Sequence, residues 1–149
     1  MNLTEQYIKL LTNAELLFNA YQEKVKNNES YKEGQRVIDI CREWITNKEM
    51  TADDIYESID SEDGYDIVEF SYLEGISEEE SYMWVLLTDI VCVLCSLAYQ
   101  IEYQKYVPQA IECIKVDKIE DFVKFLNGNM KVYENIKECA EYFAENVCY

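Results

Sequence analysis

The chain has 149 residues, with 30 acidic residues against 13 basic ones, no histidine and a net charge of −17. A surface of that sign repels nucleic acid and anionic membranes as direct ligands, and without histidine the commonest general base and metal ligand is missing. Hydrophobic residues at 49% with one proline and four glycines exclude a disordered chain and a turn-dense β-sandwich.

The pattern predicts an all-α, single domain over residues 1–149, a bundle of about six helices wrapped around a buried central helix at about 78–106. The first helix is predicted over 4–26, capped by Thr4, with Tyr7, Leu10, Leu11, Ala14, Leu17, Phe18, Tyr21 and Val25 on one face. After a polar connection, Ser30 and Glu33 have the spacing of a capping box for a second helix at about 31–47. This helix buries Tyr31, Val37, Ile38, Cys41, Trp44 and Ile45, and it carries the only arginines, Arg36 and Arg42. A second capping box, Thr51 with Asp54, opens a short acidic helix containing Ile55, Tyr56 and Ile59.

Residues 60–75 fit an irregular loop, a short strand or a helical turn, with Gly64 and Gly75 at turns and Ile67, Val68, Phe70, Tyr72 and Leu73 as core. Placing Gly64 at the obligatory sixth position of a calcium loop puts Ile59 first and Phe70 twelfth, and neither ligates. No metal or cofactor is expected.

Ser77 and Glu80 form a third capping box. From Tyr82 to Gln100 the only carboxylate is Asp89, and apolar residues cover nearly every side of the helical projection, as in a helix buried all round. A membrane span is the poorer account. Asp89 would cost about 2.5–3.5 kcal/mol near a bilayer centre, and the flank before it is Glu78-Glu79-Glu80. Thr88, Cys92, Cys95, Ser96 and Tyr99 recur at spacings of three or four and make a stripe for close approach of another helix. Asp89 either reaches water at the helix edge or pairs with Arg36 or Arg42 and fixes the register of two helices.

Pro108 is expected to end the central helix by Tyr106. Asp117 and Glu120 then open a helix with Ile119, Phe122, Val123 and Leu126 inward, stopped by Asn127-Gly128. A last helix at about 130–147 buries Val132, Tyr133, Ile136, Ala140, Phe143 and Val147.

The start, MNLTEQYIKLL, lacks a basic segment followed by an apolar run, so no signal peptide is read and a cytoplasmic location is expected. The six cysteines are then expected as free thiols. The Cys92–Cys95 CxxC lies inside the buried helix, and Cys41 and Cys113 have no activating histidine, so all four are read as packing residues.

Charge is unevenly spread. From Glu49 to Gln104 there is no lysine or arginine over 56 residues, and 15 of the 30 acidic residues lie there. Aromatics mixed with acids and lacking bases suit a face that docks a basic protein, with rings as anchors and carboxylates steering. The candidate contact residues are Asp53, Asp54, Tyr56, Glu57, Asp60, Glu62, Asp63, Tyr65, Asp66, Glu69, Tyr72 and Glu74. Trp44, Asp89, Arg36 and Arg42 are assigned structural roles.

The stretches YKEGQRVIDICREWITNKEMTADDIYESIDSEDG, MWVLLTDIVCVLCSLAY and KYVPQAIECI, within residues 31–126, resemble the sixth immunity-protein family of bacterial polymorphic toxin systems. Trp44, the 53–60 stretch and Tyr106-Val107-Pro108-Gln109 together carry the likeness. The resemblance implies an all-α protein, encoded beside a toxin, that binds and neutralises it in the producing cell. It implies no catalytic residue. The charge suits a toxin with a basic surface, such as a nuclease. The alternatives are a nucleic-acid mimic that occupies many basic proteins, and a non-enzymatic helical adaptor or homodimer.

Overall fold

The computed structural model describes residues 2–47, 49–62, 64–114, 118–128 and 135–147. Among them are seven α-helices, one turn of 3-10 helix and no strand. They are α1 (Leu3–Ala20), α2 (Asn28–Thr46), α3 (Ala52–Ile59), the 3-10 turn (Phe70–Tyr72), α4 (Glu78–Ile101), α5 (Gln109–Glu112), α6 (Ile119–Gly128) and α7 (Ile136–Asn146).

The central helix is α4, as its all-round apolar projection predicts. α1, α3, α7, the 3-10 turn and α5 pack on it, α2 touches it, and α6 rests on α1. Its length and hydropathy would suffice to cross a bilayer, yet 67% of its most apolar window is buried inside the fold. One contiguous core runs from Tyr7 to Val147. Its densest part is aromatic: Trp84 meets Phe18 at 5.7 Å and Phe70 at 5.0 Å between ring centroids. α2 reaches this cluster through Gly34, where a Cβ would stand 2.7 Å from the Phe18 ring and 2.9 Å from Trp84. The small-residue stripe of α4 receives α3, with the Cys95 thiol 3.8 Å from the Ala52 carbonyl.

Several boundaries differ from the sequence reading. The cap of α1 is Asn2, whose side chain accepts from the Glu5 N–H, and the helix ends at Ala20 rather than near 26. The cap of α2 is Asn27, whose Oδ1 accepts from the Glu29 and Ser30 N–H groups, so the Ser30–Glu33 box does not form. Asparagine competes well with serine for this position, and spacing cannot separate them. α4 stops at Ile101, well before Pro108. Tyr103 adopts the left-handed region at φ 56°, its N–H reaches the Gln100 carbonyl, and the Gln104 N–H reaches Tyr99. That double bond closes the helix end. Asp117, Val132 and Tyr133 lie outside the described residues.

The pairing of Asp89 with Arg36 or Arg42 does not occur. Arg36 pairs with Glu33 on its own helix. Arg42 holds Asp39 at 2.6 Å and bridges to Glu15 of α1 at 2.6 Å. Each arginine finds a carboxylate three residues away on its own helix, and Arg42 reaches Glu15 as well, so both are already paired away from Asp89. Trp44 is buried against the Tyr7 ring at 4.6 Å. Cys113 is disulfide-bonded, which overturns the free-thiol expectation at that position.

Candidate functional site

The acidic segment runs back along α4, pinned at intervals. At its start the Thr51–Asp54 capping box is closed in both directions: Asp54 N–H to the Thr51 hydroxyl at 3.2 Å, Thr51 N–H to the Asp54 carboxylate at 2.8 Å. The Ala52 N–H donates to the Glu102 carboxylate at 2.9 Å, so α4 supplies a second anion to the first turn of α3. The Tyr99 hydroxyl donates to Asp53 at 2.5 Å. Burial and that hydrogen bond hold the Tyr99 phenol well above its usual range.

Asp66 organises the following loop. It is 5% exposed, its Oδ2 accepts from the Ser61 N–H at 3.1 Å, and its Oδ1 accepts from the Val68 N–H at 3.1 Å. Ile67 and Phe70 are then driven into the core, with Phe70 edge-on to Trp84. The Ser81 hydroxyl of α4 donates to the Ser71 carbonyl at 2.8 Å, and Lys26 Nζ donates to the Gly75 carbonyl at 3.1 Å.

Glu80 completes the frame. It is 1% exposed and accepts from the Lys26 backbone N–H and from the Trp84 indole, both at 2.9 Å. The Ser77 hydroxyl caps the Glu80 N–H, but the Glu80 carboxylate does not return to the cap as the box spacing suggests. It ties the end of the α1–α2 connection to the core tryptophan.

With the interior committed, the loop turns a mixed face outward. Tyr72 is 81% exposed, and Tyr65 and Val68 are exposed beside it in sequence. Glu57, Asp60, Glu62, Glu69 and Glu74 are exposed carboxylates on the same segment. Tyr56 is half-buried and donates to Asp60 at 2.6 Å, which pushes its phenol up to about 12. Among the described residues, no ion pair reaches an acid between Glu49 and Glu74.

The candidate contact residues therefore divide. Asp53, Asp54 and Asp66 are spent on internal hydrogen bonds, and Asp66 is buried, which removes it from a contact role. Asp63 lies outside the described residues. Tyr72 is solvent-facing rather than core, and so is Val68, which the apolar pattern had placed inside. A tight 3-10 turn sends neighbours to different sides than strand or α-helix periodicity would. The signal for it was Asp66 two residues before Val68, the spacing of a side chain that bonds the backbone ahead.

Elsewhere, desolvation pushes the Cys41 and Cys92 thiols up to about 12 and the Cys95 thiol higher, which disfavours the thiolate at these three positions. Asp89 is half-buried, its Oδ2 has no hydrogen-bond partner, and desolvation pushes its carboxyl up to about 7. Among the described residues, no cluster of three or more metal-ligating side chains is present.

The family model for "Immunity protein Imm6" matches residues 5–139, from the first turn of α1 into α7. The chain belongs to the Imm6 family. It is an immunity protein, a class defined by binding a cognate toxin and generally without enzymatic activity. The Imm6 match spans the acidic segment, the whole of α4 and both arginines. No curated protein and no solved structure shows significant similarity to the chain.

Proposed function

We propose that this immunity protein neutralises its toxin in the cytoplasm of the producing cell by docking a basic surface of the toxin on the face built by α3 and the 60–75 loop. The observation that carries the proposal is the outward Tyr72, 81% exposed on a loop held from below by Asp66, Phe70 and Glu80, among carboxylates on a segment with no lysine or arginine of its own. A rigid aromatic loses little conformational entropy on binding and makes an effective anchor. Glu57, Asp60, Glu62, Glu69 and Glu74 would steer association with a basic partner. A nuclease toxin fits this chemistry, because holding a phosphate backbone requires a basic surface.

The test uses the toxin domain encoded beside this chain, with binding followed by surface plasmon resonance. Reversing Glu57, Asp60, Glu69 and Glu74 to lysine should slow association about 10- to 100-fold and flatten its salt dependence. Helical content should stay unchanged, since these side chains face water. Asp53 and Asp54 are left intact because they hold α3 in place. Wild-type association at physiological salt after the reversal would place the interface elsewhere.

A further inference from the structure

The acidic helix α3 begins beside an apolar groove. Trp44 and Ile45 from the end of α2, Met50, and Ile101 from the end of α4 line it, with a volume of about 580 Å³. Ile8 of α1 also lines it and is 48% exposed. Thr51 and Glu102, which cap the start of α3, form part of the lining, so groove and acidic face are continuous. A second depression shares Thr4 and Ile101 with the groove and is lined in addition by Tyr99 and Tyr103.

Tyr103 is the independent observation. It occupies the left-handed position that closes α4, at φ 56°, with the helix-end hydrogen bonds that glycine normally supports. A β-carbon there is strained, and the ring offers nothing in return to the free fold, since it is 91% exposed. Residues that break a local rule without a local gain concentrate at functional sites.

We infer that this groove and the Tyr103 ring take one or two apolar side chains from a lysine- or arginine-flanked segment of the toxin, an inference that rests on the docking face proposed above. Charge selects the occupant. Among the described residues the groove is lined by one carboxylate and no base, so a basic flank is attracted to it. A second copy of this chain, with a net charge of −17, would bring like charges together at the same rim. The acidic face then governs the encounter, and the groove governs how long the complex lasts.

Two variants test this against the toxin domain encoded beside the chain. Tyr103→Gly relieves the left-handed residue and should raise the melting temperature by about 2–4 °C, while dissociation quickens at least about tenfold, or 1.4 kcal/mol. Ile8→Glu, at a surface position, should leave melting unchanged and quicken dissociation similarly. Association rates should hold for both.

Wild-type dissociation in both variants overturns the inference. If the lysine reversals still slow association in that case, the acidic face stands and the groove alone fails. Faster release from the groove variants with undisturbed association in the lysine reversals upholds the groove and rejects the acidic face. A wild-type dimer in light scattering that Ile8→Glu disperses assigns the groove to a second copy and overturns the inference.

Discussion

Glu80→Ala probes the join between core and interaction face. The carboxylate is 1% exposed and satisfies two buried donors, the Trp84 indole and the Lys26 backbone N–H, each at 2.9 Å. Truncation leaves both without an acceptor. An unsatisfied buried donor costs about 1–3 kcal/mol, so the pair sets a range of about 2–6 kcal/mol, with the lower half expected if water enters the space left. Glu80→Gln keeps one acceptor oxygen but turns an amide donor toward a donor, and should lose roughly half as much. Urea unfolding followed by tryptophan fluorescence reads these differences. Because Trp84 also backs Phe70 of the interaction loop at 5.0 Å, limited proteolysis should cleave the 60–75 segment faster in the alanine variant. A loss under about 1 kcal/mol, or equal losses for Ala and Gln, would refute the two-donor account.

Two further variants follow from packing and desolvation. Gly34→Ala gains about 1 kcal/mol of helix propensity but drives a methyl to 2.7 Å from Phe18 and 2.9 Å from Trp84. Both rings are fully buried, so overpacking at about 1–3 kcal/mol should win and thermal melting should fall; a rise would mean that the rings can yield. The Asp89 carboxyl, pushed from 3.8 up to about 7 in the folded state, holds a proton that the unfolded chain releases between those values. Stability contributed by the protonated form is therefore present near pH 4 and lost as pH rises toward 7. Asp89→Asn should remove that slope and stabilise the protein at pH 8, on the order of 1–2 kcal/mol after discounting for partial exposure. Parallel melting curves for variant and wild type across that range would contradict the desolvation account.

The Asp89 outcome reverses what a buried-pair reading implies, and it shows where one-dimensional reasoning stops. The arginines were visible, but which carboxylate each would choose was not. Arg36 took Glu33 at three residues, and Arg42 took Asp39 together with Glu15 from another helix. Glu80 is similar: its spacing from Ser77 reads as a cap, whereas its carboxylate is claimed by a tryptophan one turn ahead and by the backbone of Lys26.

Local order and the all-round apolar content of α4 were legible because both are written in spacings of three to four residues, within reach of a single helix turn. The same locality made the Thr51–Asp54 box readable, and composition alone located the base-free block from Glu49 to Gln104. The course of residues 60–75 was not legible, since Phe70, Ser71 and Gly75 take their positions from partners as distant as Trp84, Ser81 and Lys26. The groove beside Tyr103 arises only where the start of α1 and the ends of α2 and α4 converge. Long-range packing chose which apolar and acidic side chains were consumed inside and which were left to face a partner.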